Sequence, residues 1–596
     1  MHAVKKLIYV LVVLVALGAA ACGSAQDTEA EPDVVLVPPT QAPAPPAAAP
    51  VASPAGEAAF SAASQQAAAG PALAPSGQET SPSRIDAPAP GGTLRRLWAD
   101  PPTLDPHLTS DTTSAGIVVE VFSGLVALDV DLQLVADIAE SWTVENGTDY
   151  TFTLRPNVTF HNGKPVTAHD FKWSIERASA PKTASPVADT YLNDIIGAME
   201  YIEGNADEIT GVQVIDDLTL KISIDAPKAY FLAKLTYPTA YVLDRETVEA
   251  GGRNWWVSDP VGTGPFKLKE YRIGERIVLE RFAEFYREDA SAQVDTVFMN
   301  LAGGQPMAMY ENDEIDITGV SLFDLDRILD PEEPLNRELV VAPPGFSISY
   351  VGFNTDEVVN GLENPLYDLK FRQALNHAVD KELIASEVLS ELVRPAYGIL
   401  PPGFPGYNPD VQGLTYDPDL AQRLLSESAY ADADSRPRIV ITVPGTGGTI
   451  GLDLEVILEM WRQNLGVEVE IQQVEWATYL EDLDRRKFQA FAGLGWQADY
   501  PDPQDFLDIL FHTDSSINHN GYSNPEVDRL LEDARIEQDV AARVSLYHQA
   551  EQIIVNDAAW VPLWFTGDRY ALIKPNVTGY RLTPMTVPRL AQVVLE

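Results

Sequence analysis

Apolar and polar residues alternate along Asp149-Tyr-Thr-Phe-Thr-Leu154 and along Leu218-Thr-Leu-Lys-Ile-Ser-Ile224, the two-residue period of a half-buried strand. Gly92-Thr-Leu-Arg-Arg-Leu97 also reads as a strand. In Ile117-Val-Val-Glu-Val-Phe-Ser-Gly-Leu-Val126 the apolar spacing predicts a helix ending near Gly124. Asn162-Gly163 is a type I′ turn signal between strands. Thr167-Ala-His-Asp170 is close to a capping box and opens a helix with Phe171, Ile175 and Ala178 inside. A second globular unit is predicted from Ser347. It holds one helix over 371–388, with Phe371, Leu375, Val379 and Leu383 on a stripe, and another opened by Asp417-Pro418. Then strand 438–443, helix 452–465, strand 467–474, helix 476–486 and strand 488–494 alternate. Such a βαβαβ order implies a parallel sheet with right-handed crossovers. Asn524-Pro525 opens a further helix, and 541–555 forms one more.

The last of these strands runs into Gly493-Leu-Gly-Trp-Gln-Ala-Asp-Tyr-Pro-Asp-Pro-Gln-Asp-Phe506. Gly495 frees the backbone, and Pro501 and Pro503 stop the strand from continuing. Ligands of open α/β sheets bind where strands end and loops begin. Trp496 as an aromatic platform and Asp499 as a carboxylate suit a ligand carrying positive charge. The alternative is a surface loop with a half-buried Trp and an Asp capping the next helix.

With 596 residues, 45% hydrophobic and 21% charged, the chain has the composition of a soluble globular protein of three to four domains. A formal net charge of −46 argues against nucleic-acid binding and against docking on anionic lipid. The single cysteine, Cys22, excludes an intramolecular disulfide, a cysteine zinc site and a CxxC redox pair. Two lysines in 2–6 and an apolar run over 7–21 make a signal peptide, expected at 1–21. Gly18-Ala-Ala-Ala-Cys22-Gly23 resembles a bacterial lipobox, with Ala19 where leucine is usual, so Cys22 is the expected lipid attachment point. A conventional secretory cleavage near Ala21 is the alternative. Residues 27–90 are rich in Ala, Pro, Ser, Gly and Gln, a composition that cannot bury enough surface to offset its ordering entropy. A disordered tether is expected over 22–91.

Thr103-Leu-Asp-Pro-His107, Val121-Phe-Ser-Gly-Leu-Val126 and Leu134-Val-Ala-Asp-Ile-Ala-Glu-Ser-Trp142 come in that order. They are followed by Phe160-His-Asn-Gly-Lys-Pro-Val-Thr-Ala-His-Asp-Phe-Lys-Trp-Ser-Ile-Glu-Arg177, the most specific block in the chain. Val261-Gly-Thr-Gly-Pro-Phe-Lys-Leu268, Phe371-Arg-Gln-Ala-Leu-Asn-His-Ala-Val-Asp380 and Gly495-Trp-Gln-Ala-Asp-Tyr-Pro-Asp-Pro503 complete the set. Together they resemble the extracytoplasmic solute-binding proteins of peptide ABC importers over about residues 92–580. The resemblance implies an α/β, two-lobed periplasmic-binding-protein-like fold of type II, in a three-domain variant with a hinge between lobes. On that pattern the first lobe takes 92–137, 255–346 and 564–596. An extra domain, 138–254, is inserted in it, and the second lobe takes 347–563. The chain would cross between lobes near Gly345 to Ser349 and near Leu563 to Gly567.

Carried over residue by residue, the resemblance makes Asp499 the partner of a peptide amino terminus, with Trp496 and Gln497 beside the peptide. Ser110, Asp111 and Thr112 would face it from the first lobe, and Tyr350 would stand near the lobe crossing. Ser110 replaces a glutamate found in some peptide binders. The function implied is capture of peptides between the lobes and delivery to a membrane permease. The body would be a monomer outside the cell, anchored to the membrane, without cofactor. A receptor for oligosaccharide, a nickel complex or another solute, or a sensor subunit without transport, stays open. The rival class, a secreted hydrolase, lacks a Gly-x-Ser-x-Gly elbow, a His-Glu-x-x-His motif and a cysteine nucleophile outside the signal. His161 and His169 have no third metal ligand at sensible spacing. Gly262 and Gly264 lack the third glycine and helix of a dinucleotide loop, and instead suggest a tight crossing back to the first lobe.

Overall fold

The computed structural model describes residues 91–596 except Asp259. The signal, Cys22 and the tether lie outside the described residues. Three sheets organise the remainder. The first has seven strands in the order Leu339–Ala342, Arg569–Ile573, Ile317–Gly319, Thr93–Leu97, Thr296–Asn300, Arg276–Arg281, Phe266–Arg272. Thr93–Leu97 is parallel to both of its neighbours, and the other pairings are antiparallel. Its inward residues Leu94, Val297, Met299 and Leu279 share a core with Ile117, Val118 and Val121 of a helix.

That helix is Thr112–Val121, not 117–124 as the apolar spacing suggested. Asp111 starts it by accepting from the N–H groups of Thr113 and Ser114 at 3.0 and 3.1 Å. At its other end Thr263 and Gly264 N–H groups donate to Val121 O at 3.1 and 2.8 Å, satisfying a terminal carbonyl. So close an approach requires glycine: a Cβ on Gly262 would stand 2.1 Å from Val121 O, and one on Gly264 2.5 Å from Glu120 O. The Gly-x-Gly loop is therefore a packing device that leads the chain into Phe266–Arg272 of the first sheet.

A four-stranded antiparallel sheet, Ala139–Glu145, Asp149–Leu154, Thr219–Ser223, Val212–Asp216, carries the helix Ala168–Ser179 on one face. Asp170 closes the capping box on Thr167, and Phe171, Ile175 and Ala178 are buried. The Asn162-Gly163 turn differs from expectation. Only Gly163 has positive φ, +85°, and a single bridge, Thr159 to Pro165, flanks the turn. A type I′ turn needs positive φ at both central residues, so this is another turn type, with Asn162 held by its side chain to Asp244 at 2.7 Å.

The second large sheet runs Val393–Pro395, Trp560–Thr566, Ser347–Phe353, Ala490–Phe491, Ile439–Pro444, Val469–Val474. The expected parallel unit is present: Ile439–Pro444 pairs in parallel with both Val469–Val474 and Ala490–Phe491. The single helix predicted over 371–388 is two, Leu369–His377 and Lys381–Glu387, because Asp380 turns its side chain onto the N–H of Leu383 and caps a new start. Trp560–Thr566 stays in this sheet through its last residue, paired with Val393–Pro395. The chain therefore passes to the first sheet at Gly567-Asp568, at the end of the crossing expected near Leu563 to Gly567, and residues 564–566 stay with the second sheet rather than the first lobe.

Candidate functional site

Beyond Ala490–Phe491 the chain does not simply become a loop. Gly493, at φ +75°, turns it, and Gly495–Gln497 pairs antiparallel with Ser347–Ser349. It is Gly493 that adopts the left-handed backbone. Gly495 is needed for another reason: a Cβ there would lie 2.5 Å from Ile348 O. Ala498 N–H then donates to Phe346 O at 2.7 Å, and the chain reaches Asp499. Pro503 precedes the helix Gln504–Phe511, whose first turn contributes Asp505.

Asp505 is fully buried and one of its oxygens accepts from Asp499 N–H at 3.0 Å and Trp496 Nε1 at 3.4 Å. Its other oxygen has no partner. Burial, reinforced by Asp499, pushes this carboxyl well up. The Asp499 carboxyl is also pushed up by burial, partly offset by the Tyr191 hydroxyl that donates to it. Tyr191, fully buried, ends the short helix Ala188–Tyr191, between the strands Asp149–Leu154 and Val212–Asp216 of the four-stranded sheet. It stacks on Tyr237 with ring centroids 3.7 Å apart and planes 2° apart, and meets Tyr500 edge-on. Tyr237 in turn donates its hydroxyl to Thr109 O at 3.0 Å.

Asp499 thus stands where three bodies meet. A small cavity of about 30 Å³ opens beside it, walled by Ala115 and Val119 of the first-lobe helix, Leu128, Tyr237, Tyr241 and Val587. The segments around the four-stranded sheet touch the chain beyond the second sheet through further contacts. Ser516 Oγ donates to Asp189 at 2.8 Å and lies 3.2 Å from Thr190 Oγ1; Gln538 donates to Pro227 O at 3.0 Å. Arg543 is held by Asp502 through two 2.7 Å bonds and lies 5.5 Å over the Tyr230 ring.

The residues singled out in sequence are dispersed. Asp499 and Trp496 come together, joined through Asp505. Gln497 sits on the short strand opposite Ser347, half-buried. Tyr350 is buried in the second-lobe core, stacked on Trp560 at 3.5 Å, and is not a wall of the cavity. Ser110 and Thr112 are exposed, and Asp111 spends its carboxylate on the helix cap. Reading the sequence missed Tyr191, Tyr237 and Asp505. Asp505 was within the stretch singled out, six residues from Asp499, but nothing marked it as buried. Tyr191 carries no motif at all. Among the described residues no group of three or more His, Cys, Asp and Glu side chains converges as a metal site.

Residues 133–518 match the family model described as bacterial extracellular solute-binding proteins, family 5 Middle. The chain is 31% identical over 499 residues to the periplasmic oligopeptide-binding protein OppA of Escherichia coli K12, across 82% of this chain and 89% of that protein. It is 28% identical over 487 residues to the oligopeptide-binding protein OppA of Bacillus subtilis, covering 80% and 87%. The solved structure of the E. coli murein tripeptide binding protein MppA superposes with a TM-score of 0.75 at 27% identity, over 85% of this chain and 99% of that one. The unliganded open form of MppA reaches only 0.60, at 27% identity and with 85% and 98% covered. Equal coverage with a lower score means that the lobes here are arranged differently from that open form, as their direct contacts require.

Proposed function

The chain belongs to the bacterial extracellular solute-binding proteins of family 5, and from that premise we propose that it is the receptor subunit of an ABC importer for peptides. It closes its lobes on a peptide and hands it to a membrane permease without chemical change. The relatives named for oligopeptides and murein tripeptide support this choice of ligand. The observation that carries it is the Asp499 carboxyl at the meeting of the lobes, with a hydroxyl donor from Tyr191 and no ion-pair partner among the described residues.

A peptide ammonium fits that place. Sealed between lobes it loses its water, and a desolvated ammonium needs a charged, hydrogen-bonding partner. The Tyr191 hydroxyl already donates where an ammonium would. On ligand binding it either shares the carboxylate or moves aside. Trp496 and Asp505 hold the backbone of the loop, so Asp499 is presented without a search through conformers. Gln497, Ser110 and Thr112 are proposed as neighbours of the bound peptide. Tyr350 is proposed to act from behind, by fixing the strand on which Gly495–Gln497 is laid.

Removing one partner of a buried charge pair costs roughly 2–5 kcal/mol, or about 30- to several thousand-fold in affinity. Asp499→Ala should fold normally yet lose that much peptide affinity, measured by calorimetry. Acetylating the peptide amine should weaken binding to the native protein by a comparable factor and change little in the variant; this double-mutant cycle isolates the pair. Equal binding of free and acetylated peptide by the native protein would falsify the amine role and favour a non-peptide solute.

We further propose that Cys22 carries the lipid anchor and that 22–91 tethers the body to the outer face of the cell membrane as a monomer. The Gly18-to-Gly23 motif and the Ala/Pro-rich composition support that placement.

A further inference from the structure

Two strands carry the chain between the two seven-stranded sheets, and they lie side by side. Their last pair in the first sheet is Ala342 with Arg569, and in the second sheet Ile348 pairs with Phe565. Between those pairs the ladder is interrupted. Pro343 and Pro344 have fixed φ, so the bending freedom of the first crossing falls on Gly345 and Phe346. In the gap lies the Arg569 guanidinium, in a residue only 3% exposed. Its Nε donates to Pro343 O at 2.8 Å, and its Nη1 and Nη2 donate to Thr583 O and Leu582 O at 2.9 and 2.7 Å. No carboxylate among the described residues pairs with it, and burial with the neighbouring Arg589 pulls its pKa down to about 10. A buried cation is normally paired with an anion. This one is held by three carbonyl dipoles instead, so hydrogen-bond geometry decides its place, and a rigid fork suits acceptors in fixed directions.

The carbonyl of the next residue, Pro584, accepts from Phe346 N–H at 3.1 Å. Leu582, Thr583 and Pro584 therefore give three successive carbonyls to the crossing region. The same segment runs on through Thr586, Val587 and Pro588 along the cavity beside Asp499. It is then tied to the helix Thr112–Val121, where Glu120 Oε1 accepts from the N–H groups of Arg589 and Leu590 at 2.8 and 3.0 Å. Phe346 goes with the second sheet: its carbonyl takes the N–H of Ala498, and its ring meets Phe404 edge-on at 5.0 Å. Resting on the reading that the lobes close on a ligand, we infer that residues 582–590 are a strap that latches the closed form, with Arg569 as the positioning residue that holds the strap in place. Arg569 and Glu120 fix it at both ends to the body of the first sheet, so it does not follow Phe346 when the second sheet swings away. Opening breaks the bond between Phe346 and Pro584 and draws Met585 out of the core it shares with Ile348 and Phe404; closing restores both. Hinge and cleft are coupled because the latch at 582–584 and the cavity wall at 586–588 are one short piece of chain.

The test uses the full chain with penta-alanine as the probe, and stopped-flow tryptophan fluorescence gives the rates. Arg569→Lys keeps the charge but loses the fork. Thr583→Val keeps the shape but removes the hydroxyl that donates to Met585 O at 2.9 Å and accepts from Arg589 at 3.1 Å. A latch made only in the closed form sets dissociation, not encounter. Both variants should therefore release penta-alanine roughly fivefold faster or more, the effect of one or two buried hydrogen bonds. Association, and the ratio of free to acetylated peptide affinity, should stay within about twofold of native, because the amine site is untouched. Slower association or a lower ratio would mean a damaged binding surface and overturn the strap. Thermal melts check folding, and if Arg569→Lys does not fold, Thr583→Val decides alone. Native dissociation in Thr583→Val shows the strap to be wrong while the receptor reading stands. Should the native protein bind no free-amine peptide, the receptor reading falls, and hydrogen exchange of the Phe346 amide in the ligand-free protein decides the strap. Faster exchange in Thr583→Val than in the native protein then supports it, and equal exchange overturns it.

Discussion

Asp499 holds its proton more tightly than an exposed carboxylate because burial disfavours its charge, while the Tyr191 hydroxyl restores only part of what is lost. The groups that face it are Tyr191 and Tyr237 from the segments around the four-stranded sheet, and Tyr500 and Asp505 from its own loop and helix. None is a cation. An ammonium ligand binds the ionised form, so binding releases a proton whenever the carboxyl is protonated beforehand. Affinity for a free-amine peptide should then begin to bend near the raised carboxyl value of about 7 and fall in acid. Once the pH is below the raised carboxyl value, the fall should be about tenfold per pH unit. The same titration with Asp499→Asn should be flat between pH 5 and 7. A native affinity that does not change over that range would show that Asp499 is already ionised in the open receptor and that closure sets no protonation threshold.

Single elements show which short-range signals carry through and which are overridden. Capping residues did so: Thr167 with Asp170, Asp417 before Pro418, and Asn524 before Pro525 all start the helices they were expected to start. Apolar spacing alone was less reliable. In 112–126 the run Ile117–Val126 is apolar because both a helix and the strand after it are buried, and periodicity cannot divide two buried elements. Glycines divide into two physical kinds, which can be separated by experiment. At Gly163 the backbone is left-handed, φ +85°, but a Cβ would meet nothing within 4 Å. Gly163→Ala should therefore cost only about 1–2 kcal/mol of backbone strain. At Gly262 the conformation is ordinary but a Cβ would strike the Val121 carbonyl. Gly262→Ala forces the loop off the helix end and breaks two hydrogen bonds, so a loss of about 3 kcal/mol or more is expected. Denaturant melts should rank the two in that order; the reverse ranking would mean the loop is free to retreat.

For the molecule as a whole, the proposed anchor and the closed body are separate matters. Changing Cys22→Ser should move the protein from the membrane fraction to the soluble one without altering peptide affinity, and unchanged fractionation would remove the lipoprotein proposal. The body's core elements were legible because alternation, caps, turn residues and the βαβαβ run are interactions between near neighbours, written in adjacent positions. The family resemblance added the two-lobed plan, which no local pattern carries: the first sheet joins strands from Thr93 to Ile573 and leaves the whole second sheet outside. Asp499 could be singled out because strand, glycine, aromatic and proline stand together in sequence. Its partner could not. Tyr191 lies 308 positions away, and a closing contact of that length depends on how the domains are laid against each other. The small cavity beside Asp499 is likewise assembled from distant segments, 115–128, 236–241, 499 and 586–588. Local chemistry settles which elements form; only their packing decides which side chains face one another across a cleft, because that contact has neither period nor fixed spacing along the chain.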